Sequence, residues 1–234
     1  MTNHTPSPST GTPGPPGDDG GPTAAHLAPT SFLDADHPLV AAWVDEVCAG
    51  LDDPRRRAVA LFTDVRDRIR YDPWRVTDDP ADYRASAVLA AGAAWCVPKA
   101  VLLAAGLRAV GIPARLGFAD VRNHLTSAKL RERMASDVFV RHGFTELWLD
   151  EHWVRVTPTF NRELCERFGL EPLEFDGVHD ALFHPYDRDG RRHMEYLRYH
   201  PSADDLPLEE VLADLRRHYG DRAFGGGEDP VFAP

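Results

Sequence analysis

This sequence predicts an α+β fold, with helices packed on an antiparallel sheet, and three observations predict it. Helical periodicity dominates residues 39–110, whereas strand-like runs dominate 114–157, so the two element types are segregated along the chain. A single cysteine, Cys96, opens the strongest helical segment directly after a loop-like Gly92-Ala93-Ala94. Neither an internal repeat nor a βαβ alternation is present, which argues against a parallel doubly wound sheet.

The elements follow in order. Residues 39–51 and 54–69 read as two helices, the second carrying Val59, Leu61, Phe62, Val65 and Ile69 at near-helical spacing. Residues 83–91 read as a short third helix. The segment 96–110 presents Val97, Val101, Ala104 and Leu107 on one stripe, widened by Leu103 and Val110. Pro98 falls in its first turn, where a missing N–H costs nothing, and Gly111-Ile112-Pro113 supplies the left-handed stop and prevents continuation. Strand character occupies 114–119, then a polar stretch, 120–137, leads to a hairpin of 138–148 and 153–157. With Asp150 and Glu151 at the tip, Trp148 faces Trp153, Phe144 faces Thr157, and His142 lies opposite Thr159 and diagonal to Thr157. Asp-Glu is a poor two-residue turn, and a longer loop would shift this register. Helical runs return at 162–168 and 208–219; the charges of the last one read as a solvated face.

At the N-terminal end, residues 1–29 are rich in Pro, Gly, Thr and Ser, a composition that predicts a disordered tail ahead of a single domain over 30–222. Residues 223–234 read as a flexible tip. A hydrophobic content of 43% over 234 residues suffices for one sizeable core. The net charge of −11 argues against nucleic acid and against an anionic membrane surface as partners. No apolar run reaches the length of a membrane span, and no basic region precedes an apolar stretch, so no secretory signal is expected. Three widely spaced cysteines (Cys48, Cys96 and Cys165) do not suggest a disulfide framework and fit a reducing, cytoplasmic compartment.

Cys96 is the leading candidate for chemistry. The nucleophilic form is the thiolate, and a helix N-terminus is expected to lower a thiol pKa through its partial positive charge and free N–H groups. The Cys96 N–H can also serve as an oxyanion donor. Taken alone, an isolated cysteine is commonly a buried, inert packing residue, and a strand histidine such as His142 is commonly just hydrogen-bonded. Cys48 and Cys165 read as packing residues, as do Trp95, Trp148 and Trp153.

The surrounding residues alter that reading. The stretch Cys96-Val97-Pro98-Lys99-Ala100, continuing to Arg108 and Gly111-Ile112-Pro113-Ala114-Arg115, resembles the nucleophile segment of the transglutaminase-like superfamily. Arg66-Asp67-Arg68-Ile69-Arg70-Tyr71 resembles its upstream helix end. His142-Gly143-Phe144-Thr145-Glu146-Leu147-Trp148-Leu149 and Trp153-Val154-Arg155-Val156-Thr157-Pro158-Thr159 are similar to its His strand and the strand after it. Four segments match in order across residues 55–160. The resemblance, which includes bacterial transglutaminase-like domain proteins, implies a papain-like core and a Cys96–His142 pair acting on an amide carbonyl through a thioester. The implied substrates are a peptide, a protein or a small amide, with hydrolysis and transamidation both open. No organic cofactor is called for, and no calcium motif is present.

The third member departs from the family pattern. Where relatives place an Asp that orients the imidazole, this chain has Thr157, whose hydroxyl can accept a hydrogen bond but carries no charge. Asn161 can orient the ring as an amide, and Asp176 can supply a carboxylate from further along. Loss of the Asp also fits a binding module that keeps the fold without turnover. His179, His184, His193 and Asp180 raise a metal reading, but their spacing matches no recognised zinc pattern. Residues 175–196 are expected instead to form an irregular cover over the cleft.

Overall fold

The computed structural model describes residues 20–124, 135–183, 189, 191 and 193–224. Helices α1 (Pro38–Val47), α2 (Pro54–Arg68) and α3 (Ala85–Ala91) surround α4 (Cys96–Ala109). Strands β3 (Ala114–Asn123), β4 (Val138–Leu149), β5 (His152–Val156) and β6 (Met194–Ala203) form an antiparallel sheet of order β5-β4-β3-β6. Two short strands, β1 (Arg70–Tyr71) and β2 (Ala93–Ala94), pair in parallel just ahead of α4. Helix α5 (Arg162–Phe168) follows β5, and α6 (Leu208–Tyr219) packs beside β4. This is the α+β arrangement expected from the segregation of helical and strand signals.

Helix α4 is the spine, with every residue from Cys96 to Arg108 buried. It gets close to its neighbours at two glycines. A Cβ at Gly106 would lie 2.6 Å from the Trp43 ring of α1, and one at Gly143 of β4 would lie 2.8 Å from the Val97 Cα. The second approach brings the strand that carries His142 onto the first turn of α4. Thr145 Oγ1 adds a tie to the Ala100 carbonyl at 3.0 Å.

Two buried cations cap backbone ends instead of pairing with carboxylates. Lys99 Nζ donates to the Arg66 carbonyl at 2.9 Å and to the Ile69 carbonyl, at the C-terminal end of α2. Arg108 donates to the carbonyls of Ala114, Ala28 and Asp204. The carbonyls of Arg66, Ile69 and Ala114 are bonded in buried surroundings, where leaving one unpaired would cost about 1–3 kcal/mol.

Arg108 and Trp153 correct the expected extent of the tail. The Ala28 carbonyl accepts from Arg108, the Gly20 carbonyl accepts from Trp153 Nε1 at 3.0 Å, and buried His26 stands edge-on to Trp153. Residues 20–29 are therefore tied to α4 and β5 at these points, because backbone carbonyls and one histidine supply contacts that composition does not register. Residues 1–19 and 225–234 lie outside the described residues.

The hairpin register is as read from the sequence, with Trp148 paired to Trp153 and Leu149 to His152. Asp150 and Glu151 both take positive φ, 48° and 65°, which completes a two-residue turn with the twist the strands need. Beyond the hairpin the strands differ from expectation. β3 runs on to Asn123, and β6 occupies residues assigned in part to an irregular cover. Among the described residues β6 pairs only with β3, so as an edge strand it tolerates Pro201 and polar residues that hide its period.

Candidate active site

Cys96 is the first residue of α4, after an extended Trp95, and is 8% exposed. Three backbone N–H groups, those of Gly143, Val97 and Cys96 itself, bond toward its sulfur and favour the thiolate. Burial outweighs them and pushes the thiol up to about 11. The expectation of a lowered pKa at the helix N-terminus is thus overturned for the resting protein: the N–H donors act in the expected direction, but desolvation of the buried thiolate is larger.

His142 sits immediately after a β-bulge. Ala119 pairs with His142 and Val121 with Phe139, so the single residue Asp120 opposes both Val140 and Arg141. Arg141 has φ 55°, and its N–H donates to Asp120 Oδ1 at 3.1 Å. A bulge of this kind bends the strand and re-aims the next side chain. His142 is 4% exposed and its ring lies tilted against Phe183, centroids 4.7 Å apart, and Phe183 in turn contacts Phe160. Burial alone holds its pKa down to about 3; no carboxylate opposes the shift.

Of the three candidates for orienting the imidazole, Thr157 is the one in contact. His142 Nε2 lies 3.0 Å from Thr157 Oγ1, and Thr157 Oγ1 lies 3.0 Å from Thr159 Oγ1. With the Nε2 proton donated to Thr157, the lone pair on Nδ1 is the one available as a base. Thr157 is fully buried, and its N–H is fixed by the Ala181 carbonyl at 3.0 Å. The diagonal placement of His142 and Thr157, read from the hairpin register, is what brings the hydroxyl to the ring.

Asn161 and Asp176 do not fill that role. Asn161 Oδ1 accepts from the Tyr71 N–H at 2.6 Å, and its Nδ2 donates to the Arg66 and Ile69 carbonyls at 2.8 and 3.0 Å. All of its polar capacity serves the junction of α2 and β1. Asp176 is exposed and bonds His179 and the Val178 N–H. Of the residues that raised a metal reading, His179 pairs with Asp176, Asp180 pairs with Arg155, and His184 lies outside the described residues. Among the described residues, no group of three or more His, Cys, Asp or Glu is arranged to hold a metal ion. Of the expected cover, Phe175 packs on Phe62 of α2, and Phe183 is the part that reaches His142.

Sequence reasoning missed Asp120, whose carboxylate pins the bulge before His142. It stands in a polar stretch where nothing but a pairing partner marks it. It also missed the aromatic neighbours Phe160 and Phe183.

A buried cysteine opens α4, a histidine lies on the adjoining strand β4, and its ring meets a threonine hydroxyl just beyond β5, all within a fold of helices packed on an antiparallel sheet. A profile of the transglutaminase-like superfamily matches residues 41–158, just over half of the chain, and the chain belongs to that superfamily. No curated protein matches. Among solved structures, a candidate cysteine protease from Cytophaga hutchinsonii is 16% identical with a TM-score of 0.45, over 57% of this chain and 40% of its own. The periplasmic domain of TgpA from Pseudomonas aeruginosa is 22% identical with a TM-score of 0.42, over 57% and 45%. Red sea bream transglutaminase is 16% identical with a TM-score of 0.39, over 80% and 41%. The chain spans less than half the length of each of these structures. Among the described residues, no helix is long and apolar enough to cross a membrane.

Proposed function

We propose that this protein is a cysteine-dependent acyl-transfer enzyme acting on an amide carbonyl of a peptide, a protein or a small amide. The observation that carries the reading is the arrangement of β4 on α4. At Gly143 the strand closes on the first turn of α4, a Cβ there falling 2.8 Å from the Val97 Cα, while its neighbour His142 lies with Nε2 3.0 Å from Thr157 Oγ1. In the first half-reaction the Cys96 S–H proton passes to His142 Nδ1 as sulfur bonds to the carbonyl carbon, and the carbonyl oxygen takes the electron pair. N–H groups of the first turn of α4 face the sulfur and support that charge. Collapse breaks the C–N bond, and the imidazolium returns its proton to the leaving amine. Water or a second amine then attacks the thioester, with His142 again accepting and returning a proton.

Because both partners rest neutral, reactivity depends on concerted proton transfer rather than on a standing thiolate. Thr157 orients the ring but lends no charge to the imidazolium, so turnover is expected to be slower than with a carboxylate in that place. Three free thiols support a reducing compartment, and we place the protein in the cytoplasm.

The test is to incubate wild type, Cys96→Ala and His142→Ala with a panel of peptide, glutamine and small-amide donors, reading thioester by mass spectrometry and amine release. Thioester on Cys96 in wild type, absent in Cys96→Ala and reduced about 100-fold or more in His142→Ala, is the expected result. A second reading, a binding module without turnover, is favoured by the same Thr157 and by the raised Cys96 thiol. It predicts saturable binding of one donor with no thioester in any variant.

A further inference from the structure

Behind the bulge that precedes His142 the sheet opens into a cavity of about 420 Å³, lined by Asp120, Val140, Arg141, Arg198, Arg217 and His218, with His200 and Asp214 completing it. Two register shifts create it. On β4 the residues Val140 and Arg141 together oppose Asp120, and on β6 the pairing steps from Asp120–Arg198 to Val121–Tyr196. A strand bulged on both sides twists away from its neighbours, and α6 spans the gap.

The lining is cationic in a chain whose net charge is −11. Both of its carboxylates are already engaged. Asp120 Oδ1 accepts from the Arg141 N–H and lies 2.8 Å from His200 Nε2. Asp214 takes Arg141 Nε at 2.7 Å and Arg217 at 2.6 Å. Glu210, at the rim, is 3.6 Å from Arg141. Arg198, by contrast, has no ion pair among the described residues, and its partner in the strand register is the occupied Asp120. His218 contributes a ring nitrogen that lies 3.1 Å from Ser136 Oγ.

We propose that this cavity is a binding site for a carboxylate group, held by the Arg198 guanidinium with help from Arg217 and His218. A planar guanidinium fork matches two carboxylate oxygens, and such charge-assisted bonds are stronger than neutral ones. Arg141, the residue before His142, is part of the lining, so an occupant sits beside the strand that carries His142. The binding itself does not depend on Cys96 chemistry.

The experiment is an NMR titration of the full-length protein with glutarate and, separately, with inorganic phosphate, repeated for Arg198→Gln and Arg217→Gln. Both side chains are exposed, and unchanged melting curves establish that the variants fold. Expected is saturable glutarate binding that shifts resonances of β6 and α6, weakened about tenfold in Arg198→Gln and less in Arg217→Gln. Phosphate binding more tightly than glutarate overturns the assignment to a carboxylate. An absence of saturable binding, or equal glutarate affinity in wild type and Arg198→Gln, overturns the site altogether. Since the readout is binding without turnover, failure of the thioester chemistry and failure of this site are separately visible.

Discussion

The two halves of β4 differ, and the difference separates what holds the fold from what aims the chemistry. From Thr145 to Leu149 the strand is regular, paired to β5 in an unbroken ladder and to β3 without a shift. Its outward Glu146 ties Arg115, Arg155 and Ser202 together, with the Arg115 guanidinium 4.1 Å from the Trp153 ring. From Val138 to His142 the strand is bulged, carries a residue at positive φ, and borders a polar cavity. The regular half sets a register that delivers Thr157. The bulged half turns His142 toward that hydroxyl. Substitutions in the first half should therefore cost stability, and those around the second should alter proton chemistry.

The largest effect on stability is expected from Glu146→Ala. It leaves Arg115 and Arg155 without their shared carboxylate in a largely buried setting, a loss of about 3–5 kcal/mol in chemical denaturation. Once the folded fraction is matched, the pH profile of Cys96 alkylation should be that of wild type. A changed profile would mean that the two halves are not separable.

Thr157→Val keeps the shape and removes the hydroxyl. The buried Nε2–H of His142 then lacks an acceptor, a loss of about 1–3 kcal/mol, and the ring is free to turn. Thioester formation should fall far more than in Thr157→Ser, which retains the hydroxyl. Equal rates in the Val and Ser variants would remove Thr157 as the orienting residue.

The pH dependence sharpens the same contrast. The His142 pKa is held down to about 3 from an ordinary 6.5. Its neutral form therefore contributes stability that is present above pH 6.5 and is lost as pH falls from there toward 3, by about 1.4 kcal/mol per unit. His26, also lowered by burial, adds a change of the same sign. The slope between pH 6.5 and 5 should be shallower in His142→Gln than in wild type, read from urea midpoints. For Cys96 the thiol form is favoured, so alkylation by iodoacetamide should keep climbing through pH 8–10 toward its raised pKa of about 11.

The smallest effect is at the tip of the hairpin. Glu151 at φ 65° is strained where glycine is not, and Glu151→Gly should stabilise by about 0.5–1 kcal/mol in thermal melts without changing alkylation.

The comparison of halves also tells what the sequence could reveal. The α4 start at Cys96, its Gly111 stop and the Trp148–Trp153 pairing were legible because periodicity, proline and glycine act locally. Thr157 was legible as a departure and as one of three candidates, set diagonal to His142 by the register. The bulge at Asp120 was not, since it needs β4 and β6 to slip past the same residue. β6 was hidden because an edge strand can carry Glu195, Arg198 and Pro201 without an alternating pattern. Packing of residues 20–29 rests on carbonyls of Gly20 and Ala28, which no composition rule weighs. Asn161 illustrates the converse: its residue type suited catalysis, but its amide is consumed by backbone partners near Ile69.

The central claim is a neutral pair in which His142 is held at Nε2 by a threonine hydroxyl and is a base at Nδ1. Nitrogen-15 NMR of the imidazole ring across pH 8 to 5 tests it most directly. The account predicts a neutral ring with the proton on Nε2 throughout that range, and loss of this single tautomer in Thr157→Val. A doubly protonated ring near neutral pH, which Cys96→Ala abolishes, would instead reveal a standing thiolate–imidazolium pair and contradict it.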